Sequence, residues 1–420
     1  MLVAAIASMK ILWVKAGKLW PVDTGGKIRS FNILRHLGRK HEVTTLSYYG
    51  GDRDTAYETA IAKELPGART IYTAAPESTL SQSIDYVLRL PSTAPYAVRK
   101  FTHPAVRREV ARRLSDGSAD VAVCDFLSAS LNFPAVSTTP VVLFQHNVET
   151  MLWRRMASTE KSAVRKLSYG IEARKMAAYE TRTLSKFRHI IAVSDHDRKE
   201  MLAMAPGCAI TVVPTGVDTE KYQAVPSASG NPPLIVFTGS MDWEPNIDAV
   251  EYFCSDIFPT VLAAFPAARF QIVGRNPHAR VRKLASASVE VTGTVPSVAE
   301  YLRNATAVIV PLRIGGGTRL KIFEAMAMKK ALISTSIGAE GLDVTSGRDC
   351  LIADDAGSFA NAIVTVLQEP ALRHGYEENA AGLAARYDWS QIAVRFAEAL
   401  TDAINNSRSP KGQNAPALPV

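Results

Sequence analysis

Arg319, Lys321 and Glu324 stand behind three consecutive glycines in the segment PLRIGGGTRLKIFEAMA, residues 311–327. A β-branched run ends at Val310, the glycines Gly315, Gly316 and Gly317 follow, and a helix is predicted to open near Thr318. Binding a diphosphate needs this order of residues. Glycines let backbone N–H groups come close to phosphate oxygens, and a helix N-terminus adds partial positive charge. Arg319 and Lys321 supply formal charge. Glu324, one helical turn beyond Lys321, is placed to accept hydrogen bonds from ribose hydroxyls. A glycine-rich turn alone is often only a tight connection; the cations and the acid at helical spacing favour a ligand.

Other candidates sit at the ends of apolar runs. In PVDTGGKIR, residues 21–29, Gly25 and Gly26 open a helix whose first turn carries Lys27 and Arg29. Cations there oppose the helix dipole and call for an anion. His146 and Asn147, in QHNVE, follow the run Val141–Phe144 and so fall where ligands of open α/β sheets bind. Gly239 in FTGS, Gly274 and Arg275 in VGR, and Gly293 and Val295 in VTGTV occupy similar strand-end turns. Two Asp-x-Asp triplets, Asp52–Asp54 and Asp195–Asp197, have the form of metal-binding pairs. Ser194 followed by Asp195 reads instead as a helix N-cap, and Asp52 and Asp54 follow two glycines in a turn. No metal is expected.

The elements that must hold these residues alternate. Strands are predicted at Ile11–Val14, Val43–Leu46, Val121–Cys124, Val141–Phe144, Ile190–Val193 and Thr211–Val213 in the first half. The second half repeats the pattern at Leu234–Thr238, Phe270–Val273, Val289–Thr292, Ala307–Val310, Ala331–Ser334 and Cys350–Ile352, with helices between. Such alternation implies α/β architecture: two Rossmann-like, doubly wound parallel-sheet domains facing across a cleft. At 420 residues the chain exceeds one ordinary hydrophobic core. The expected division is an N-terminal domain over 1–222, a Pro/Gly/Ser-rich linker over 223–233, and a C-terminal domain over 234–388. A helix over 389–404 crosses back to the first domain, and a disordered tail covers 405–420.

Several of these segments together resemble the retaining family 4 glycosyltransferases of GT-B fold. Their donor site has the pattern Glu-x7-Glu, with the second Glu in an E-A-M-A helix, matched here by Glu324–Ala327. The first Glu, which touches the donor sugar in the family, is replaced by Gly316. VVPTGVD, residues 212–218, resembles the family's element closing the first domain, and Phe237–Ser240 resembles the turn opening the second. The resemblance implies a nucleotide-diphosphate sugar as co-substrate, with no cofactor and no metal. It assigns His146, Arg319 and Lys321 to catalysis. Gly25, Gly26, Lys27, Gly239, Arg275, Gly293, Val295, Gly316, Gly317, Thr318 and Glu324 would hold the donor, and Arg29 and Asn147 would face the acceptor.

The composition narrows the partners. Residues 1–220 carry 30 Lys+Arg against 21 Asp+Glu, whereas residues 221–420 carry 18 against 19, so the net charge of +8 lies in the first half. Met151–His189 has 10 basic and 3 acidic residues, and within it Met151–Arg188 is expected to form one long or broken helix. That implies an anionic partner: a phosphorylated or lipid-linked glycan acceptor, or a membrane surface. Nucleic acid is not expected: it calls for cations interleaved with aromatics along a groove, and here the cations cluster on one helix. No apolar run approaches the roughly 18 residues of a membrane span. The opening MLVAAIAS has no basic residues ahead of it and runs into a core strand, so it does not read as a secretory signal. Four scattered cysteines indicate neither a zinc site nor a disulfide framework, and a cytoplasmic setting, peripheral at the membrane, follows. Two rivals remain at this level: a two-lobed nucleotide- or sugar-binding protein without turnover, and a nucleotide-sugar epimerase.

Overall fold

The computed structural model describes residues 7–75, 85–160, 162–224, 232–314 and 320–408. They form two compact units, one of residues up to Pro214 together with those from Ile392 onward, the other Thr215–Gln391.

In the first unit seven parallel strands form one sheet: β1 (Lys10–Ala16), β2 (Glu42–Tyr49), β3 (Ala68–Tyr72), β4 (Val121–Asp125), β5 (Val141–Phe144), β6 (His189–Ala192) and β7 (Ala209–Val212). Their order is β3-β2-β1-β4-β5-β6-β7. β1 and β4 are buried on both faces, which is why they read as continuous apolar runs rather than alternating ones. The order reverses between β1 and β4, the place where such sheets open a crevice beyond their carboxyl ends. The final helix, Trp389–Arg408, adds Phe396 to this core, its ring centroid 5.3 Å from Trp13 and 5.0 Å from Phe144.

The second unit holds six parallel strands: β8 (Leu234–Thr238), β9 (Arg269–Val273), β10 (Val289–Gly293), β11 (Ala307–Val310), β12 (Ala331–Ser334) and β13 (Leu351–Ile352). The order β10-β9-β8-β11-β12-β13 repeats the first sheet's winding, with its reversal between β8 and β11. Both sheets are Rossmann-like, as the alternation predicts.

One strand and two boundaries differ from expectation. β3, ARTIY, was not predicted, because its alternating half-exposed pattern at the sheet edge carries little apolar signal. Residues 215–222 belong to the second unit rather than the first: Val217 bridges to Asp388, and a Cβ on Gly216 would fall 2.6 Å from the Trp389 ring. The last helix runs to Arg408, four residues into the segment expected to be disordered, because Ala403 and Ile404 are still buried. The stretch Met151–Arg188, expected as one long or broken helix, is the broken form: two helices, Glu149–Thr159 and Ala163–Lys186, interrupted where Glu160 Oε1 accepts the Ser162 N–H at 2.9 Å.

Candidate functional site

At the carboxyl end of β4 in the first unit, Asp125 is wholly buried and surrounded by donors. Trp13 Nε1 donates to its Oδ2 at 2.7 Å, and Lys15 Nζ donates to its Oδ1 at 3.2 Å. His146 Nε2 lies 2.8 Å from the same Oδ1. Burial opposes charge on Asp125, but Lys15 and His146 outweigh it and hold the carboxylate well below its ordinary range. Burial pushes His146 down to about 4, with Lys15 and Arg29 adding to the fall and Asp125 resisting it. The imidazole is therefore neutral near pH 7. With Nε2 facing Asp125, Nδ1 is left as the acceptor.

That nitrogen looks toward the glycine loop. A Cβ on Gly26 would stand 3.2 Å from His146 Nδ1, so the helix Gly25–Leu37 begins against the ring. Asn147, next along, has a buried Oδ1 without a protein donor among the described residues, as does Gln145 Oε1; each is free to accept from a hydroxyl or water. The turn carrying these residues is fastened by Glu180, whose carboxylate accepts from Gln145 Nε2 at 3.0 Å, Glu149 N at 3.0 Å and Thr150 N at 2.8 Å. It thereby caps the helix Glu149–Thr159, which has no side-chain cap of its own.

Two first-turn cations behave differently from each other. Lys27 Nζ is paired with Asp23 Oδ1 at 2.9 Å, so the anion that its position called for is supplied by the chain itself. Arg29 is 1% exposed, and its Nη1 donates to His146 O at 3.4 Å. Burial lowers its guanidinium to about 10, still charged at neutral pH.

In the second unit the cluster forms around Gly239, just beyond β8. A Cβ there would lie 2.8 Å from Asn246 Nδ2 and 3.0 Å from Lys321 Nζ. Lys321, on the helix Leu320–Ala327, donates to Asn246 Oδ1 at 3.0 Å and rests 4.0 Å over the Phe237 ring. Gly274 approaches so closely that a Cβ would fall 1.6 Å from Gly239 O. Arg275 Nε donates to Ser240 Oγ at 3.0 Å, tying the turn after β9 to the turn after β8. One helical turn past Lys321, Glu324 Oε1 accepts from Tyr222 OH at 2.8 Å. Burial raises the Glu324 carboxyl, while the Tyr222 hydrogen bond and the cations Lys221 and Lys321 restrain the rise. Gly293 ends β10 at φ +70° with a break in the ladder, and Val295 packs half-buried against the core.

Gly316, Gly317, Thr318 and Arg319 lie outside the described residues. Within the second unit the structure groups Gly239, Arg275, Lys321 and Glu324; within the first it groups Gly26, Arg29, His146 and Asn147. Sequence reasoning missed Asp125, Lys15, Asn246 and Tyr222. A buried acid at a strand's carboxyl end was the signal for Asp125; the other three carried none. Both Asp-x-Asp triplets are structural, with Ser194 Oγ accepting from Asp197 N at 3.0 Å and Asp54 accepting from Tyr57 N at 2.8 Å. Among the described residues no group of three or more His, Cys, Asp or Glu side chains gathers to hold a metal ion.

Residues 24–221 match the family model "Glycosyltransferase Family 4" and residues 232–369 match "Glycosyl transferases group 1". The chain is 27% identical over 307 residues to a phosphatidyl-myo-inositol mannosyltransferase of Mycolicibacterium smegmatis, covering 70% of this chain and 74% of that one. It is 27% identical over 344 residues to the protein of the same name from Mycobacterium leprae, covering 78% and 86%. Anabaena HepE, solved in complex with UDP and glucose, has the same fold at a TM-score of 0.63 and 15% identity, over 94% of this chain and 99% of that one.

Proposed function

Because this chain belongs to the family 4 glycosyltransferases of GT-B fold, we propose that it moves a glycosyl group from a nucleotide-diphosphate sugar to a lipid-linked or glycan acceptor of the cell envelope. Transfer retains the anomeric configuration and uses no metal. The second unit takes the donor and the first takes the acceptor, at the cytoplasmic face of an anionic membrane. Similarity to mannosyltransferases named for a phosphoinositide acceptor supports the lipid-linked class.

The observation that carries the donor assignment is the helix Leu320–Ala327. It sets an ammonium, Lys321, beside the bare backbone of Gly239, and a carboxylate, Glu324, one turn further on. A cation next to amides without side chains suits a diphosphate, and a carboxylate one turn away suits a ribose diol. In the reaction the acceptor hydroxyl attacks from the face that the diphosphate leaves, and a leaving phosphate oxygen takes its proton. Lys321, Arg319 and the amides of Gly316 and Gly317 stabilise the charge growing on that diphosphate. His146, neutral at pH 7, accepts a hydrogen bond at Nδ1 from a substrate hydroxyl at the first unit's glycine loop.

The test is hydrolysis of a panel of nucleotide sugars, with and without chelator, and the anomeric form of the released sugar read by NMR. One donor turning over slowly, unaffected by chelator and with retention, is the expected result. Strict metal dependence or inversion defeats the mechanism; tight nucleotide binding with no turnover of any donor defeats the transferase and favours a binding protein.

A further inference from the structure

The helix Ala163–Lys186 contains two acidic residues, and both are turned into the core, Glu172 at 2% exposure and Glu180 fully buried. Glu172 accepts from Tyr96 N at 2.7 Å, and Glu180 fastens the His146 turn. What the helix shows to solvent therefore includes no acid: cations and apolar side chains, with a few hydroxyls such as Ser185. Between it and the helix Glu149–Thr159 runs a groove of about 630 Å³, bounded by Arg154, Arg174 and Arg182 over Ala173, Ala177 and Ala178, with no carboxylate in its lining. Arg182 also borders a second depression of about 330 Å³ together with Arg99 and Lys186.

At the N-terminal end of the same helix two large aliphatic side chains stand free, Val164 at 80% and Leu167 at 68% exposure. The segment 85–90 is fastened to this helix by Tyr86 OH at 3.0 Å from Ser168 Oγ and by Lys175 Nζ donating to Leu90 O at 2.7 Å. It brings two more, Val87 at 61% and Leu88 at 74%. Scattered exposed aliphatics need no explanation, but four in one neighbourhood beside arginines that have no carboxylate partner among the described residues do.

We propose that this surface docks the protein on an anionic lipid bilayer. The guanidinium groups of the groove take lipid phosphates, and Val87, Leu88, Val164 and Leu167 enter the interfacial layer. The inference deepens the membrane-linked part of the proposed function by naming the face that makes contact. Charge complementarity favours this occupant over a second copy, which would oppose two cationic faces. The aliphatic character of the exposed side chains disfavours nucleic acid, whose bases stack on aromatics. Each arginine near an anionic surface is worth roughly a fivefold gain in binding, and the aliphatic group adds a part that salt does not screen.

The experiment is sedimentation of the full chain with vesicles of equimolar phosphatidylglycerol and phosphatidylcholine, and with vesicles of phosphatidylcholine alone. Binding to the first and not the second is expected. The double variant Arg174→Glu/Arg182→Glu weakens it by at least about 25-fold. Val164→Ser/Leu167→Ser leaves only binding that moderate salt abolishes. All four positions are exposed, so an unchanged unfolding midpoint accompanies both variants. Equal binding to the two vesicles, or sedimentation of the variants like wild type, overturns the proposal. So does capture of an RNA oligonucleotide in place of vesicles, or dimerisation abolished by the serine pair. Donor hydrolysis in solution is read alongside and stays unchanged in both variants. Hydrolysis without vesicle binding rejects this surface alone, and vesicle binding without hydrolysis rejects the transferase reading alone.

Discussion

His146 Nε2 lies 2.8 Å from Asp125 Oδ1, bringing the turn after β5 against the carboxyl end of the neighbouring strand β4. The carboxylate also receives Trp13 and Lys15, so one buried acid orients the ring and neutralises a buried ammonium. Asp125→Asn keeps the shape and removes the charge, leaving Lys15 unpaired. Removing one partner of a buried pair costs about 3–5 kcal/mol. Urea unfolding of the variant should show a loss of that order, and a loss below about 1 kcal/mol would exclude Asp125 as the neutralising group.

His146 makes stability fall with acid. Its pKa is held at about 4 in the fold, against 6.5 when free. As pH drops below that ordinary value the unfolded chain takes up a proton that the folded chain refuses. The His146 contribution is therefore whole above about pH 6.5 and is lost as pH falls toward 4, by up to ~1.4 kcal/mol per unit. Unfolding free energies across this window, compared with His146→Gln, should show the slope flattening in the variant. Equal slopes would mean that His146 takes up its proton as readily in the fold as in the unfolded chain.

Glu149 acts with the opposite sign. Burial pushes it up to about 7, and the Glu180 carboxylate adds to the rise. The fold favours its protonated form, so that contribution is present below 4.5 and disappears as pH rises through about 7. Glu149→Gln should gain stability relative to wild type near pH 8 and none near pH 4, as read by thermal unfolding at the two pH values.

Gly239 and Gly274 separate binding from folding. A Cβ at Gly274 meets the Gly239 carbonyl oxygen at 1.6 Å, a backbone atom that cannot step aside. Gly274→Ala should therefore disrupt the second unit, visible as aggregation or lost ellipticity. At Gly239 the obstacles are the ends of Asn246 and Lys321, which can shift, so Gly239→Ala should fold and bind nucleoside diphosphates more weakly by calorimetry. Normal folding of Gly274→Ala would contradict the contact.

Tyr222→Phe leaves the Glu324 carboxylate without its 2.8 Å donor and should cost about 1–3 kcal/mol. Glu324→Ala should weaken nucleotide binding, whereas Lys321→Ala should chiefly lower turnover. Wild-type kinetic constants in both of the latter variants would remove the donor site from this helix.

Sequence alone determined the alternation of strands and helices, and with it two doubly wound parallel sheets, because burial on both faces leaves a local apolar run that can be read directly. It also placed Gly239, Gly274, Lys321 and Glu324 at strand ends and on one helical turn, since those relations span only a few residues. It did not report the surroundings of Lys27 and Arg29: whether a cation is solvated, paired or buried depends on what packs over it, and no spacing reports that. Tyr222 and Glu324 are 102 residues apart, and Trp13 and Asp125 are 112 apart. Such pairs exist only because strand order and parallel register bring distant ends together. Only the tertiary structure, by turning Glu172 and Glu180 inward, left the basic helix with a face free of acids.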